Sequence, residues 1–251
     1  MRTAIAIVAG VALLLFGLVI TAPATMIDGR LDSATQGRVR LADTTGTIWN
    51  GAGTLRVAQA SGAIDIAWRV EPLPLLWGEL RGTLVSGDDV SPKAAFAVSR
   101  ASVDLRDAAL SFPADTLLRA AGAPALVGAG GTLALRSPAI GMSGEAITGQ
   151  AALRWDDATL SMPGTALRIA LGEVHFDGSG QGRWLNGVLA NTGGEVEIAG
   201  TAGLSADGAP RVNATVRPRS GIDRRRATAI ALALGLIGRP SGDGGFMIVV
   251  P

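Results

Sequence analysis

The stretch from Gly46 to Gly82 carries the clearest two-residue periodicity in the chain. Large apolar side chains alternate with smaller or charged ones from Ile64 to Val70, which is the pattern of a strand with one covered face. A shorter strand is predicted just before it, from Thr54 to Ala58. Pro72 and Pro74 then end the second strand, because proline cannot donate a hydrogen bond to a neighbouring strand. The stretch therefore predicts two consecutive strands.

Three of the five tryptophans, Trp49, Trp68 and Trp77, lie in this stretch, and the chain contains no tyrosine. Buried aromatic side chains contribute strongly to the stability of a core. The composition therefore favours a core role for these tryptophans. A role in a protein interface stays open at this point.

Two sequence segments, G-T-I-W-N-G-A-G at 46–53 and W-R-V-E-P-L-P-L-L-W-G-E-L at 68–80, resemble the glycine–tryptophan motif of type II secretion system protein N. The end of the chain is also similar to that family, since a predicted helix precedes a glycine-rich turn and a final strand. The resemblance implies an inner-membrane protein of the general secretion pathway, with a β-rich periplasmic domain and other secretion components as partners. The motif residues, which are also candidate interface residues, are Gly46, Trp49, Gly51, Trp68, Pro72 and Trp77.

The N-terminal run from Ala4 to Ala22 contains no charged residue. About 19 helical residues span roughly 28 Å, close to the thickness of the hydrocarbon core. Arg2 precedes the run, so the positive-inside rule predicts a cytoplasmic N-terminus and places the rest of the chain outside the cytoplasm. Ala22-Pro23-Ala24 leaves a cleaved signal peptide as the alternative, but the run is longer than a usual signal core. We expect an uncleaved anchor.

The predicted organisation has three parts: a cytoplasmic tip and transmembrane anchor over 1–24, a linker or short helix over 25–45, and a periplasmic β-rich domain over 46–251. Two glycine-rich segments each follow a predicted helix and precede an apolar strand. This similarity leaves open whether the domain consists of two repeated halves, about 46–140 and 141–251.

Short alternating runs separated by turn residues continue after residue 82, and they predict an antiparallel meander. The glycine-rich segment Gly178–Gly182 is interpreted as a hairpin turn. Helices are predicted over 115–122 and 222–236, with Ser220 as a plausible cap of the second. The predicted fold class is therefore mainly β: an N-terminal transmembrane helix, then a long curved antiparallel sheet with two short helices.

The sequence offers little material for catalysis. It has no cysteine and a single histidine, His175, so neither an ordinary zinc site nor a histidine-based triad can be assembled. The adjacent carboxylates Asp88-Asp89 and Asp156-Asp157 lie at apparent turns, where solvated acidic residues are common. We therefore predict no catalytic residue, no metal site and no cofactor.

The one basic run is Arg224, Arg225 and Arg226. Positive charge at the start of a helix is unfavourable, so the run is a candidate contact for an acidic partner or lipid headgroups. A net charge of +1 gives no reason to expect nucleic acid binding. The predicted function is a non-enzymatic secretion component. The alternative is an envelope protein that binds or transfers lipid in a hydrophobic groove of a curved sheet.

Overall fold

A computed structural model describes residues 22–58, 60, 62–86, 94–120, 128–161, 167–242 and 244–250. These residues form one open antiparallel sheet of 14 strands. The strands are β1 (Val39–Gly46), β2 (Asn50–Val57), β3 (Ala63–Glu71), β4 (Leu80–Ser86), β5 (Ala94–Val98), β6 (Ser102–Pro113), β7 (Gly128–Ser143), β8 (Ala146–Ser161), β9 (Arg168–Gln181), β10 (Trp184–Thr192), β11 (Val196–Ser205), β12 (Pro210–Pro218), β13 (Arg239–Pro240) and β14 (Phe246–Val250). The helices are α1 (Thr25–Thr35), a 3-10 helix (Leu73–Trp77), α2 (Ala114–Ala120) and α3 (Arg224–Ile237).

The strands follow one another across the sheet in the order of the sequence, except that β14 lies between β12 and β13. The prediction of a mainly β, antiparallel fold is confirmed. Within the described residues no helix is both long and apolar enough to cross a membrane. The predicted anchor lies almost entirely outside those residues.

The strands are longer than the sequence pattern predicts, and Gly178–Gly182 shows why. The predicted hairpin turn is present but begins only at Gly182 (φ 61°), since β9 continues to Gln181 and Gly178 pairs with Gly187 of β10. A Cβ atom on Gly178 would lie 2.6 Å from the ring of Phe176. The glycine makes room for an aromatic neighbour within the strand.

The segment 25–45, predicted as a linker or short helix, forms helix α1 and almost all of edge strand β1. The Asp28 carboxylate accepts hydrogen bonds from the backbone N–H of Leu41 (2.8 Å) and from Nη2 of Arg40 (3.1 Å). Arg40 thereby holds the pKa of Asp28 below its usual value. Asp28 and Thr35 of α1 accept hydrogen bonds from the backbone N–H groups of Leu41 and Val39 on edge strand β1, so these groups are not available for pairing with another chain.

The sheet has one dry face and one polar face. The apolar residues of paired strands fall on the same side: Trp68 lies opposite both Gly51 and Leu84. Four clusters of buried residues follow this side from β1 to β14. Cross-strand ion pairs such as Arg154–Glu173 (2.8 Å) lie on the other face. This arrangement agrees with the alternating pattern of the sequence.

Asp156-Asp157 does not lie at a turn as predicted, because both residues belong to a bulge inside β8. Asp157 has a φ of 49°, a left-handed conformation that aspartate tolerates better than most residues. Gly131 of β7 lies against this bulge, where a Cβ atom would be only 2.3 Å from the Asp156 carbonyl oxygen. Bulges bend a strand and increase its twist. The pair Asp88-Asp89 lies outside the described residues.

Both predicted helices are present, but only α2 connects strands that are neighbours in the sheet. Helix α2 lies between β6 and β7, whereas α3 follows β12 and precedes β13 and β14. The cap of α3 is Asp223 and not Ser220: its carboxylate accepts hydrogen bonds from the backbone N–H of Arg225 (2.9 Å) and Arg226 (3.2 Å). The division into two repeated halves remains a prediction.

Candidate functional site

The glycine–tryptophan segment forms the tight connection between β1 and β2. Thr47 Oγ1 accepts hydrogen bonds from the backbone N–H of Trp49 (3.3 Å) and Asn50 (3.2 Å). A Cβ atom on Gly51 would lie 2.6 Å from the ring of Trp68, so this position requires glycine. Trp68 Nε1 donates a hydrogen bond to the Ile48 carbonyl oxygen (3.1 Å). Sequence neighbours and a residue of the next strand, β3, thus stabilise the same hairpin.

The three tryptophans of the motif occupy three different environments. Trp68 is only 8% exposed, in the cluster that includes Leu41. Trp49 is half-buried, and its carbonyl oxygen accepts a hydrogen bond from the Val70 N–H (2.6 Å). Trp77 is 78% exposed. Trp68 is therefore a core residue, whereas Trp77 lies on the surface.

The 3-10 helix presents most of its apolar side chains to solvent. Pro72 caps its start, and Gly78 closes it with a φ of 76° and a hydrogen bond from its N–H to the Leu75 carbonyl oxygen (3.0 Å). Leu73, Leu76 and Trp77 are exposed, as is Met26 of α1. We call these four residues the 3-10 surface. Exposed apolar patches of this kind mark sites of contact with protein or membrane.

An apolar groove of about 670 Å³ lies beside this helix on the dry face. We call it the N-terminal groove. It is lined by α1, the first five strands and their connections, through Met26, Ile27, Leu31, Leu41, Ile48, Trp49, Leu55, Ile66, Trp68, Val70, Leu75, Leu80, Leu84 and Phe96. No charged side chain lies among these lining residues.

The opposite end of the sheet also combines a covered dry face with an exposed apolar surface. Ile230, Ala233 and Leu234 of α3 are buried against the sheet, above a smaller cavity of about 190 Å³. Three large apolar side chains of α3, which packs against β14, are exposed, and we call them the α3–β14 surface: Leu232, Leu236 and Ile237. Met247 and Val249 are exposed as well, but they alternate with Phe246 and Ile248 along β14 and lie on the opposite face of the sheet.

The basic run at the start of α3 is divided between two roles. Arg226 donates from Nε to Glu195 Oε1 (2.6 Å) and from Nη2 to Glu195 Oε2 (2.8 Å). Glu195 also accepts a hydrogen bond from the Ala170 N–H (2.9 Å), so the pair ties α3 to β9. Arg226 holds the pKa of Glu195 below its usual value. Arg224 and Arg225 are exposed, and the predicted partner contact therefore rests on them.

Replacing Glu195 with glutamine is expected to lower the free energy of unfolding by about 1–2 kcal/mol near neutral pH, because the change weakens a bidentate charged pair. The lowered pKa means that this stabilisation is complete above the pKa of the unfolded state and is lost as the pH falls through the folded pKa. Urea unfolding at neutral and acidic pH measures both effects.

Glu197→Gln is the matched control, because Glu197 forms a bidentate pair with Arg217 in which both side chains are well exposed. We expect the free energy of unfolding of this variant to change by no more than about 0.5 kcal/mol. The native chain and Glu195→Gln should differ less in their free energy of unfolding in acid than at neutral pH. If the difference persisted unchanged in acid, the Glu195–Arg226 pair would not be its cause.

His175 lies on the polar face, where it is half-buried and pairs across the strands with Arg154. It lines a shallow polar groove of about 490 Å³ together with Asp156, Glu173 and Asp177. Within the described parts of the chain, no group of three or more His, Cys, Asp or Glu side chains could hold a metal ion. The geometry assigns no chemistry to this groove.

These features define a protein built as one extended antiparallel sheet, with a dry face and exposed apolar surfaces at both ends. A model of the type II secretion system (T2SS) protein N family matches residues 37–249. The chain therefore belongs to this family, and the resemblance seen in its motifs is confirmed. The family is a non-catalytic component of type II secretion. Comparisons with curated proteins and with solved structures find no match.

Proposed function

We propose that this chain is anchored in the inner membrane by residues 1–24, that its β-rich domain lies in the periplasm, and that it helps to assemble or couple the secretion machine through protein contacts. The uncharged run from Ala4 to Ala22 supports the anchor. Family membership supports the participation of other type II secretion components.

The α3–β14 surface is the observation that carries the proposal of protein contact. Leu232 and Leu236 lie on the side of α3 that points away from the sheet, and they are 70% and 79% exposed. Leaving such side chains in water is unfavourable, and a partner that covers them gains the free energy of their burial. Arg224 and Arg225 are exposed at the start of the same helix, which suits a partner with acidic residues beside an apolar centre.

The test is a pull-down of the full-length protein from its native membrane in mild detergent, with proteins and lipids both identified. We expect other secretion components to be recovered with the native chain and to be lost with the double variant Leu232→Glu and Leu236→Glu. Val188→Glu is the control, because Val188 is also apolar and well exposed, at 61%, but lies on β10. Equal recovery of partners with the native chain and the double variant would contradict the proposal.

Lipid binding is the second candidate, and the N-terminal groove favours it. Its volume falls within the range of about 300–1,000 Å³ that is usual for ligand sites, and its lining is apolar throughout. A curved sheet that holds an acyl chain along this groove would act as a lipid carrier. Recovery of stoichiometric phospholipid or glycolipid without protein partners in the same pull-down would favour this function over the first.

A further inference from the structure

We propose that the 3-10 surface (Met26, Leu73, Leu76 and Trp77) is a second membrane contact, which rests on the lipid bilayer beside the anchor. The inference rests on the anchoring proposed above. It adds a defined surface and a defined orientation: the N-terminal end of the sheet lies against the membrane, and the α3–β14 surface points away from it.

Backbone hydrogen bonds connect the end of the predicted anchor to the 3-10 helix. The Ala22 carbonyl oxygen accepts from the Ile48 N–H (3.0 Å), and the Trp49 carbonyl oxygen accepts from the Val70 N–H (2.6 Å). Pro72, which caps the 3-10 helix, follows two residues later. A chain that leaves the bilayer at residue 22 therefore brings this helix to the membrane surface with no flexible segment in between.

The composition of the 3-10 surface suits the bilayer interface better than water. Leu76 and Trp77 are 77% and 78% exposed. Tryptophan is enriched at the membrane–water boundary, where its ring meets the apolar region and its N–H meets water. Proline at positions 72 and 74 and the closing glycine hold the short helix in one conformation, so little flexibility is lost on contact.

The charges around the surface set the expected character of the contact. Two basic residues, Arg69 and Arg81, and two acidic residues, Glu71 and Glu79, flank the 3-10 helix. Arg81 Nε and Glu79 Oε1 are 2.8 Å apart and form an ion pair. Since the local charge is balanced, attraction to anionic headgroups is weak, and the contact should depend on apolar burial and not on salt.

The absence of cysteine from the chain allows an experiment with one probe at a time. Leu76→Cys and Trp77→Cys in the full-length protein are labelled with an environment-sensitive fluorophore. The proteins are then reconstituted in nanodiscs of phosphatidylethanolamine and phosphatidylglycerol, with or without lipids brominated near the headgroup. We expect a blue shift of the emission and a loss of intensity with brominated lipid, both unchanged at high salt.

Leu232→Cys is the matched control, because its side chain is equally apolar and exposed, on α3. The strands next to the two surfaces, β4 and β12, are eight positions apart in the sheet, which corresponds to about 38 Å measured across the strands. The control probe should keep the emission of a group in water. Circular dichroism verifies that each labelled variant is folded.

The possible outcomes separate this inference from the anchoring on which it rests. A chain that fails to co-elute with nanodiscs contradicts the anchor, and the inference with it. A chain that co-elutes but whose probes at 76 and 77 are no more quenched than the probe at 232 overturns the inference alone. Quenching that disappears at high salt would also overturn it, because the contact would then be electrostatic.

Discussion

Replacing Trp68 with alanine is expected to lower the free energy of unfolding by about 3–5 kcal/mol, the range found for large aromatic residues in cores. The ring is 8% exposed, covers Gly51 and packs in the cluster that also contains Leu41. The substitution also removes the hydrogen bond to the Ile48 carbonyl oxygen. Urea unfolding of the full-length protein in a nonionic detergent, followed by far-UV circular dichroism, measures the change.

Trp77→Ala is the matched control for this prediction, because Trp77 belongs to the same motif but is 78% exposed. We expect its free energy of unfolding to change by no more than about 0.5 kcal/mol. Each strand pairs only with its neighbours, so the effect of Trp68→Ala should also be local. Hydrogen exchange should rise mainly in β1–β4. Equal stability losses for the two variants would contradict the assignment of Trp68 to the core.

Replacing Ile230 with alanine is expected to lower the free energy of unfolding by about 2–5 kcal/mol, since the substitution leaves a cavity between α3 and the sheet. Ile230 is fully buried and belongs to the cluster that contains Val196 and Val216. The loss should appear as reduced thermal stability and as faster hydrogen exchange in α3, β11 and β12.

Leu232→Ala is the control on the same helix, two residues away. Its side chain is 70% exposed, and leucine and alanine have similar helix propensities. The change should stay within about 0.5 kcal/mol in the isolated protein. Complex formation should nevertheless weaken if the α3–β14 surface is the partner contact. A large stability loss from Leu232→Ala would show that this side of α3 is covered in the folded chain.

Regular patterns made most of the β structure predictable. The alternation from Ile64 to Val70 and the apolar run in α3 each carry their own periodicity, and both elements are present. Long strands were underestimated because glycines at positions such as 178 look like turns in the sequence. In the sheet they make room for aromatic side chains on the same strand or on neighbouring ones.

Elements stabilised by distant residues could not be predicted. The segment 25–45 has a mixed polar composition, and α1 forms against the sheet because Ile27 and Leu31 pack near Trp68. Glu195 and Arg226 are separated by 31 residues, and no local pattern joins them. The sequence alone therefore suggested an external partner for all three arginines, whereas one of them is paired inside the domain.

The sequence by itself determined that the chain is mainly β, which side of each strand is apolar, where α3 lies, and to which family the protein belongs. These properties depend on local periodicity and on motif residues. Only the tertiary structure decided that Trp68 is buried, that Trp49 is half-buried and that Trp77 is exposed. The physical reason is that burial depends on which strands and helices cover a side chain, and such neighbours are set by strand pairing across the whole sheet.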